Sequence, residues 1–429
     1  MILRRLSPLR LIRAAHLRST MIVFIGNGLS AGMGFAILAL LTRSLTPVEF
    51  GTLSPIIAVL DTGQLLIDSV LVLGMLHVAS KYAAKAPATA MMALKLGLWT
   101  KMAAGAVIGV CGIAGSSWLS ELLLDTPEWR DELRLMFGAI IAVSTYTFVV
   151  SVLQTQERFL SLALVSLYKN GLRLVCVAAV LLFGAVTVTG VVWIYFAAAF
   201  ASAALALMNV RPREFMAAGV DRAVLSEIFA VNKWMVLAAI GILGGRIDIL
   251  MLTSMSTPDQ VAWYTAAFQL CMVLGILSQA LVTTIFPKTS KISSPLEVRK
   301  HVAACLKYVP AAMVFGGLAS VASGWVIPLL LGETYAAAAM VFNLLLFSSL
   351  ITLLMNPILL VFFPMNWSSM FGLASLLQLL SRVGLNFLLI GPYGSTGAAV
   401  ADLASKLLVT AIMLGAVSWR VRRLERGVS

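Results

Sequence analysis

The sequence predicts an all-α integral membrane protein, with about twelve transmembrane helices in two pseudo-symmetric six-helix bundles around a central cavity. Composition supplies the first observation: 60% of the 429 residues are hydrophobic and 11% charged. Soluble domains carry about 25% charged residues, so this chain cannot clothe a water-facing surface. The second is the recurrence of apolar stretches of about 20 residues, long enough to cross a hydrocarbon core of roughly 30 Å. Helices are the element that satisfies its own backbone polar groups there. The third is an internal echo. Thr46-Pro47-Val48-Glu49-Phe50-Gly51 returns as Thr257-Pro258-Asp259-Gln260-Val261-Ala262, a shift of 211 (257 − 46). Leu122-Leu123-Leu124-Asp125-Thr126 returns as Leu330-Leu331-Gly332-Glu333-Thr334, a shift of 208 (334 − 126). Thr189-Gly190-Val191-Val192 returns as Thr396-Gly397-Ala398-Ala399, a shift of 207 (396 − 189). Three echoes in one order at nearly one shift imply a duplicated unit.

The expected spans lie near 21–42, 52–77, 96–116, 135–153, 160–184, 190–210, 234–254, 261–286, 302–325, 336–360, 369–390 and 396–419. The first exceeds the apolar core of about 7–15 residues found in a secretory signal, so it is read as a membrane helix. The second carries Pro55, and later ones hold Pro310, Pro328 and Pro357 in or near their ends, where proline kinks or starts a helix. Gly241, Gly244 and Gly245 in the seventh allow close packing or bending. The longest polar connection, 211–233, separates the halves, and Ser226-Glu227 offers a helix start there. The expected organisation is a basic cytoplasmic arm (1–20), a bundle (21–210), a cytoplasmic linker (211–233), a second bundle (234–419) and a basic cytoplasmic tail (420–429).

Lys and Arg orient the helices. Arg4, Arg5, Arg10, Arg13 and Arg18 precede the first span, and alternate loops hold Lys81 and Lys85, Arg158, then Arg211, Arg213 and Arg222. Lys288, Lys291, Arg299 and Lys300 follow, and Arg420, Arg422, Arg423 and Arg426 close the chain. The intervening loops hold only Arg43, Arg130 and Arg134, beside Asp125, Glu128, Asp131 and Glu132. Cytoplasmic loops attract positive charge, so both termini are expected in the cytoplasm. The net charge of +13 is thus topological, with membrane lipid headgroups as partner and no nucleic acid. Cys111, Cys176, Cys271 and Cys305 fall in apolar stretches without metal-ligand spacing and are read as buried small hydrophobes. His16, His77 and His301 are scattered and form neither a metal set nor a catalytic group. With no phosphate-binding glycine loop either, no cofactor or metal is expected and the chain is not expected to be an enzyme.

Charges inside the spans cost roughly 2.5–3.5 kcal/mol each by insertion scales, and this chain carries many. Asp61 and Asp68 are seven apart on one helix face, and Lys169 and Arg173 are four apart on another. Arg246 and Asp248 lie in the seventh span, Arg382 in the eleventh, Asp402 and Lys406 in the twelfth. Asp402 and Lys406 have the spacing of an internal ion pair. Lys101 is expected to snorkel toward the interface. Two cations on one face cannot neutralise each other, so a shared cavity holding these groups has a cationic excess suited to an anionic substrate such as a pyrophosphate-linked lipid. In duplicated transporters such sites lie between the repeats.

Leu41-Thr42-Arg43-Ser44-Leu45-Thr46-Pro47-Val48-Glu49-Phe50-Gly51 resembles the Arg-x-Leu-x-Pro-x-Glu-(Tyr/Phe)-Gly loop of polysaccharide flippases. Arg246-Ile247-Asp248 and the following apolar run, then Val261-Ala262-Trp263-Tyr264-Thr265-Ala266-Ala267, are similar to their seventh and eighth helices, with Ala262 in place of the usual Gly. Phe286-Pro287, Leu331-Gly332-Glu333-Thr334-Tyr335 and Tyr393-Gly394-Ser395-Thr396-Gly397-Ala398-Ala399 resemble later signatures. The resemblance covers about residues 20–420. It implies the fold of the multidrug/oligosaccharidyl-lipid/polysaccharide exporter superfamily and an alternating-access flippase for lipid-linked oligosaccharides (polysaccharide or O-antigen repeat units on a polyprenyl-pyrophosphate carrier) in the bacterial inner membrane. Lys169, Arg173, Arg246, Arg382 and Lys406 would then bind substrate. Asp61, Asp68, Asp248 and Asp402 would balance charge or hold a coupling cation, and other polysaccharide-assembly proteins are conceivable partners. A cation-coupled drug or metabolite exporter of the same fold is the alternative. A membrane polymerase or ligase is the second alternative, against which the lack of a large extracytoplasmic loop counts.

Overall fold

A computed structural model describes residues 8–82, 86–211, 219, 221–289, 292, 294–362, 364–365 and 367–425. Arg4, Arg5, Lys85, Arg213, Lys291 and Arg426 therefore lie outside the described residues, as do the side chains of His16, His77, Phe286 and Pro287 and the surroundings of Gly241, Gly244 and Gly245. The chain runs through α1 (Pro8–Ser44), α2 (Pro47–Tyr82), α3 (Pro87–Leu124), α4 (Arg130–Thr155), α5 (Phe159–Phe183) and α6 (Val188–Leu207). The second half continues with α7 (Arg222–Met255), α8 (Pro258–Thr289), α9 (Pro295–Leu306), α10 (Val309–Leu331), α11 (Ala338–Leu359) and α12 (Ser368–Glu425). No strand occurs among the described residues.

Ten described stretches are long and apolar enough to cross a membrane. The twelfth element alone supplies 52 such residues, Gly372–Arg423, about 80 Å at roughly 1.5 Å per residue. It breaks at Gly394, where φ is 54° and ψ −131°, between the two spans expected at 369–390 and 396–419. The expected span 302–325 instead begins within α9. Lys307 and Tyr308 form a turn and Pro310 opens α10, where its missing N–H costs nothing. Pro55, Pro328 and Pro357 do lie inside helices.

Local chemistry sets the helix starts. Thr46 and Glu49 form a reciprocal cap on α2: the Thr46 N–H donates to Glu49 Oε2 at 2.8 Å, and the Glu49 N–H donates to Thr46 Oγ1 at 3.3 Å, satisfying two donors the helix leaves open. Asp221 caps α7 by accepting from the Ala223 N–H at 2.8 Å. The start expected at Ser226-Glu227 is thus one turn too late: an aspartate already stands where the polar linker ends, and it takes the cap first.

The duplication is visible in the packing. Short 3-10 turns follow α3 at Pro127–Trp129 and α10 at Glu333–Tyr335, a shift of 206 (333 − 127) that matches the echoes in sequence. Within the first half α1 packs on α5, α2 on α3 and α4, and α4 on α6; within the second, α7 packs on α12 and α8 on α11. The halves meet chiefly through α2, which lies against α7 and α8. The two copies of the threonine-proline loop touch at one end of the molecule. A side chain on Gly51 would overlap the Pro258 carbonyl oxygen, and Phe50 meets buried Tyr335 edge-on, with centroids 6.1 Å apart. There Arg43 also donates from Nε to the Leu330 carbonyl at 3.3 Å and from Nη2 to that of Leu329.

Large apolar side chains such as Phe183, Val321 and Trp325 are exposed on the outside, the surface lipid covers. The chain is a multi-pass membrane protein. Of the four cysteines only Cys271 is buried, and Cys111 is exposed. Expecting all to be buried failed because an apolar span has an outer face as well as an inner one.

Candidate functional site

Inside lipid a charge persists only beside partners or water, so the surroundings of each intramembrane ion define what it can do. Asp61, Gln64 and Asp68 follow on α2 at spacings of three and four and so share a face. Asp61 reaches across the halves, its Oδ2 3.0 Å from Nη2 of Arg246 on α7. Both groups keep some exposure, 31% and 13% respectively. The Arg246 guanidinium lies 5.3 Å from the centroid of Phe268 on α8.

Asp68 takes a partner that the sequence did not offer it. Lys101 on α3 is fully buried, with Nζ 3.3 Å from Asp68 Oδ1, 3.3 Å from Thr147 Oγ1 and 3.2 Å from Ser151 Oγ. The snorkelling expected of Lys101 is thus corrected. An ammonium has three N–H donors, and one carboxylate with two hydroxyls of α4 receives all three.

Lys169 and Arg173 on α5 differ in kind. Lys169 donates to Gln64 Oε1 at 3.0 Å and lies 5.3 Å from the Tyr146 ring centroid. The Arg173 guanidinium stacks 4.2 Å from the centroid of Tyr195. Among the described residues neither has a carboxylate at ion-pair distance, and buried Arg173 Nε has no hydrogen-bond partner. A cation over an aromatic face gains about 0.5–2 kcal/mol, against roughly 2.5–3.5 kcal/mol for placing the charge in the membrane. The pair is left short of partners.

In the second half the ions close on one another. Arg382 Nε donates to Asp248 at 2.8 Å to Oδ1 and 2.9 Å to Oδ2, and Asn386 Nδ2 donates to Asp248 Oδ1 at 2.7 Å. The Tyr264 hydroxyl donates to the same carboxylate. Arg382 Nη2 also bonds Asp248 and lies 2.7 Å from Asp402 Oδ1. Lys406 Nζ stands 3.2 Å from Asp402 Oδ2, which also accepts from the Ser348 hydroxyl. Two cations thus meet two carboxylates. Arg246 with Asp61 and Lys101 with Asp68 are likewise neutral, so among the described residues the cationic excess of these intramembrane groups falls on Lys169 and Arg173.

The structure therefore sorts the nine intramembrane residues expected to form a site. Asp61, Lys169, Arg173 and Arg246 gather where the halves meet, with Asp68 one step along α2, while Asp248, Arg382, Asp402 and Lys406 form a separate network within the second half. Gln64, Tyr146, Tyr195, Phe268 and Asn386 were missed. Gln64 and Asn386 carried a signal, being amides inside apolar stretches and one helical turn from a charge. The aromatic rings carried none, because rings are ordinary in a membrane span. Among the described residues no group of His, Cys, Asp and Glu is placed to hold a metal ion.

Two helical halves joined through α2, with ions buried inside them and an apolar exterior, define a duplicated multi-pass membrane protein. Residues 16–293 match the family model described as polysaccharide biosynthesis protein. That is 278 of the 429 residues (293 − 16 + 1), and the chain belongs to this family. A comparison with curated proteins gives no match. Among solved structures the chain is similar to a multidrug resistance MATE family transporter of the MOP superfamily in its inward-facing conformation. That pair is 12% identical over 93% of this chain and 96% of the other, with a TM-score of 0.75. The lipid II flippase MurJ in an inward closed conformation is 12% identical over 93% and 87% of the two chains, with a TM-score of 0.73. An outward-facing MATE family transporter is 13% identical over 96% of both chains, with a TM-score of 0.61. At these identities the likeness establishes the fold.

Proposed function

We propose that the chain is an alternating-access flippase that moves lipid-linked oligosaccharide, of the polyprenyl-pyrophosphate type, across the bacterial inner membrane. The observation that carries this reading is the cation pair Lys169 and Arg173, which has no carboxylate at ion-pair distance among the described residues, beside an arginine that bridges the halves. A diphosphate supplies the missing negative charge. Arg173 and Arg246 offer forked donors and Lys169 a point charge, while Asp61 balances Arg246 until substrate arrives. Membership of a polysaccharide biosynthesis family supports the substrate class, and the fold shared with a lipid II flippase supports the manner of transport. The functional division is residues 21–210 and 234–419 as rocking bundles joined by 211–233, with both termini in the cytoplasm. The contact of Gly51 with Pro258 then closes the extracytoplasmic side, which favours an inward-facing state.

The cation-coupled exporter draws support from the MATE fold. Against it, each of Asp61, Asp68, Asp248 and Asp402 already has a Lys or Arg partner, so a coupling cation would have to displace one.

The test is export of surface glycan by Arg173→Ala and Arg246→Ala variants, scored against membrane-inserted protein. Arg173→Ala should abolish export at normal abundance, and Arg246→Ala, which leaves the partly exposed Asp61 without its partner, should abolish export per inserted molecule. Arg173→Lys should restore it only partly, because the ammonium keeps the charge but loses the fork. Full export by a well-expressed Arg173→Ala/Arg246→Ala double variant overturns the proposal.

A further inference from the structure

We infer that the cavity inside the second half is the sugar subsite of the carrier: it takes the uncharged rings of the oligosaccharide while the cations at the junction of the halves hold the diphosphate. The inference rests on the flippase reading above and deepens it. The cavity has a volume of about 370 Å³, within the range of about 300–1,000 Å³ usual for ligand sites. Its walls come from α8, α11 and both segments of α12.

Charge decides what it does not take. Arg382 and Lys406 line it, yet Asp248 and Asp402 cancel them, so an anion entering there gains no net attraction. Hydrogen bonding decides what it does take. Gln378 and Thr410 line the cavity, and among the described residues no protein group accepts from or donates to either side chain. Asn356 gives its Nδ2 to Ser278 at 2.8 Å and keeps its carbonyl oxygen for a ligand. Polar groups left without partners in a membrane protein interior cost free energy, and sugar hydroxyls both donate and accept. Met355, Met413 and Phe268 also line it and offer apolar surface to the C–H faces of a ring.

Phe268 also fixes the connection. The same ring that lines the cavity carries the Arg246 guanidinium at 5.3 Å. A phosphate held by Arg246 and a sugar in the cavity are therefore neighbours, the order in which a carrier-linked oligosaccharide presents them.

The experiment uses the full chain with Gln378→Leu, close in shape but without hydrogen bonding, alongside Thr410→Val and Gln378→Asn. Glycan export per membrane-inserted molecule should fall at least ~tenfold in Gln378→Leu, as expected when buried partners are left unpaired. Gln378→Asn should recover part of it. Binding of inorganic pyrophosphate to the purified protein should change less than about twofold. Thr410→Val repeats the measurement if Gln378→Leu does not accumulate. Unchanged export, or parallel loss of pyrophosphate binding, overturns the subsite; the first would leave the cavity to an apolar chain, the second would make Gln378 a packing residue. Failure of the wild-type protein to bind pyrophosphate overturns the flippase reading itself, and the subsite with it.

Discussion

Two arginines of this chain look alike in sequence and are opposite in surroundings. Arg382 is buried between Asp248 and Asp402, so its removal strands two carboxylates in a low-dielectric interior. Breaking such a pair costs about 3–5 kcal/mol. Arg382→Ala should therefore lose membrane-inserted protein and unfold at lower temperature in detergent, whereas Arg173→Ala, which strands no carboxylate, should accumulate normally and fail in transport. Equal abundance of the two variants would contradict this contrast. Lys101 follows the same logic at smaller scale, because Asp68 keeps 35% of its exposure. Lys101→Met should destabilise by less than the ~3–5 kcal/mol of a sealed pair. Adding Asp68→Leu should return part of that loss, since replacing both partners removes the unpaired charge. Thermal unfolding of the three proteins checks it.

The helices are joined by turns whose side chains have been divided between the two copies of the repeat. In the first copy Glu49 folds back to cap its own helix. In the second, Gln260 takes the equivalent place and instead receives the Ser395 N–H at 2.9 Å and the Ser395 hydroxyl. It thereby ties the start of α8 to the break in α12. That break needs Gly394: φ 54° with ψ −131° is a conformation L side chains avoid, worth about 1–3 kcal/mol of strain, and a Cβ there would press on the Gln260 amide. Gly394→Ala should lower the unfolding temperature in detergent more than Gln260→Ala, which loses only the hydrogen bonds. The reverse order would show that the tie, and not the backbone, sets the break.

At the scale of the whole molecule the Lys/Arg asymmetry and the closed end make linked predictions. Ser226→Cys should be labelled only from the cytoplasm, and Glu128→Cys, in the turn after α3, only from outside. Gly51 permits α2 to touch the Pro258 carbonyl, so Gly51→Leu should hold that end apart. The expected readout is faster labelling of a cysteine at Ala262, which is fully buried there, by an impermeant reagent added outside. Unchanged protection of Ala262→Cys would show that the halves close elsewhere.

Composition and the length of the apolar stretches determined the solvent and the all-helical fold, and the echoed loop motifs the duplication. These depend on local satisfaction of backbone groups and on hydrophobic length, which need no knowledge of neighbours. The i, i+4 pair Asp402–Lys406 was legible for the same reason. What only the tertiary structure decided is which charges are spoken for. Asp68 with Lys101, Asp61 with Arg246 and Asp248 with Arg382 are separated by 33, 185 and 134 residues (101 − 68, 246 − 61, 382 − 248), and no spacing rule reaches that far. Sequence could count five cations against four carboxylates in the proposed site. The packing of α2 against α3 and α7, and of α12 against α7, brought in Lys101 as a further cation and left Lys169 and Arg173, among the described residues, without a carboxylate at ion-pair distance, because a charge in lipid is defined by what the fold places within a few ångströms of it.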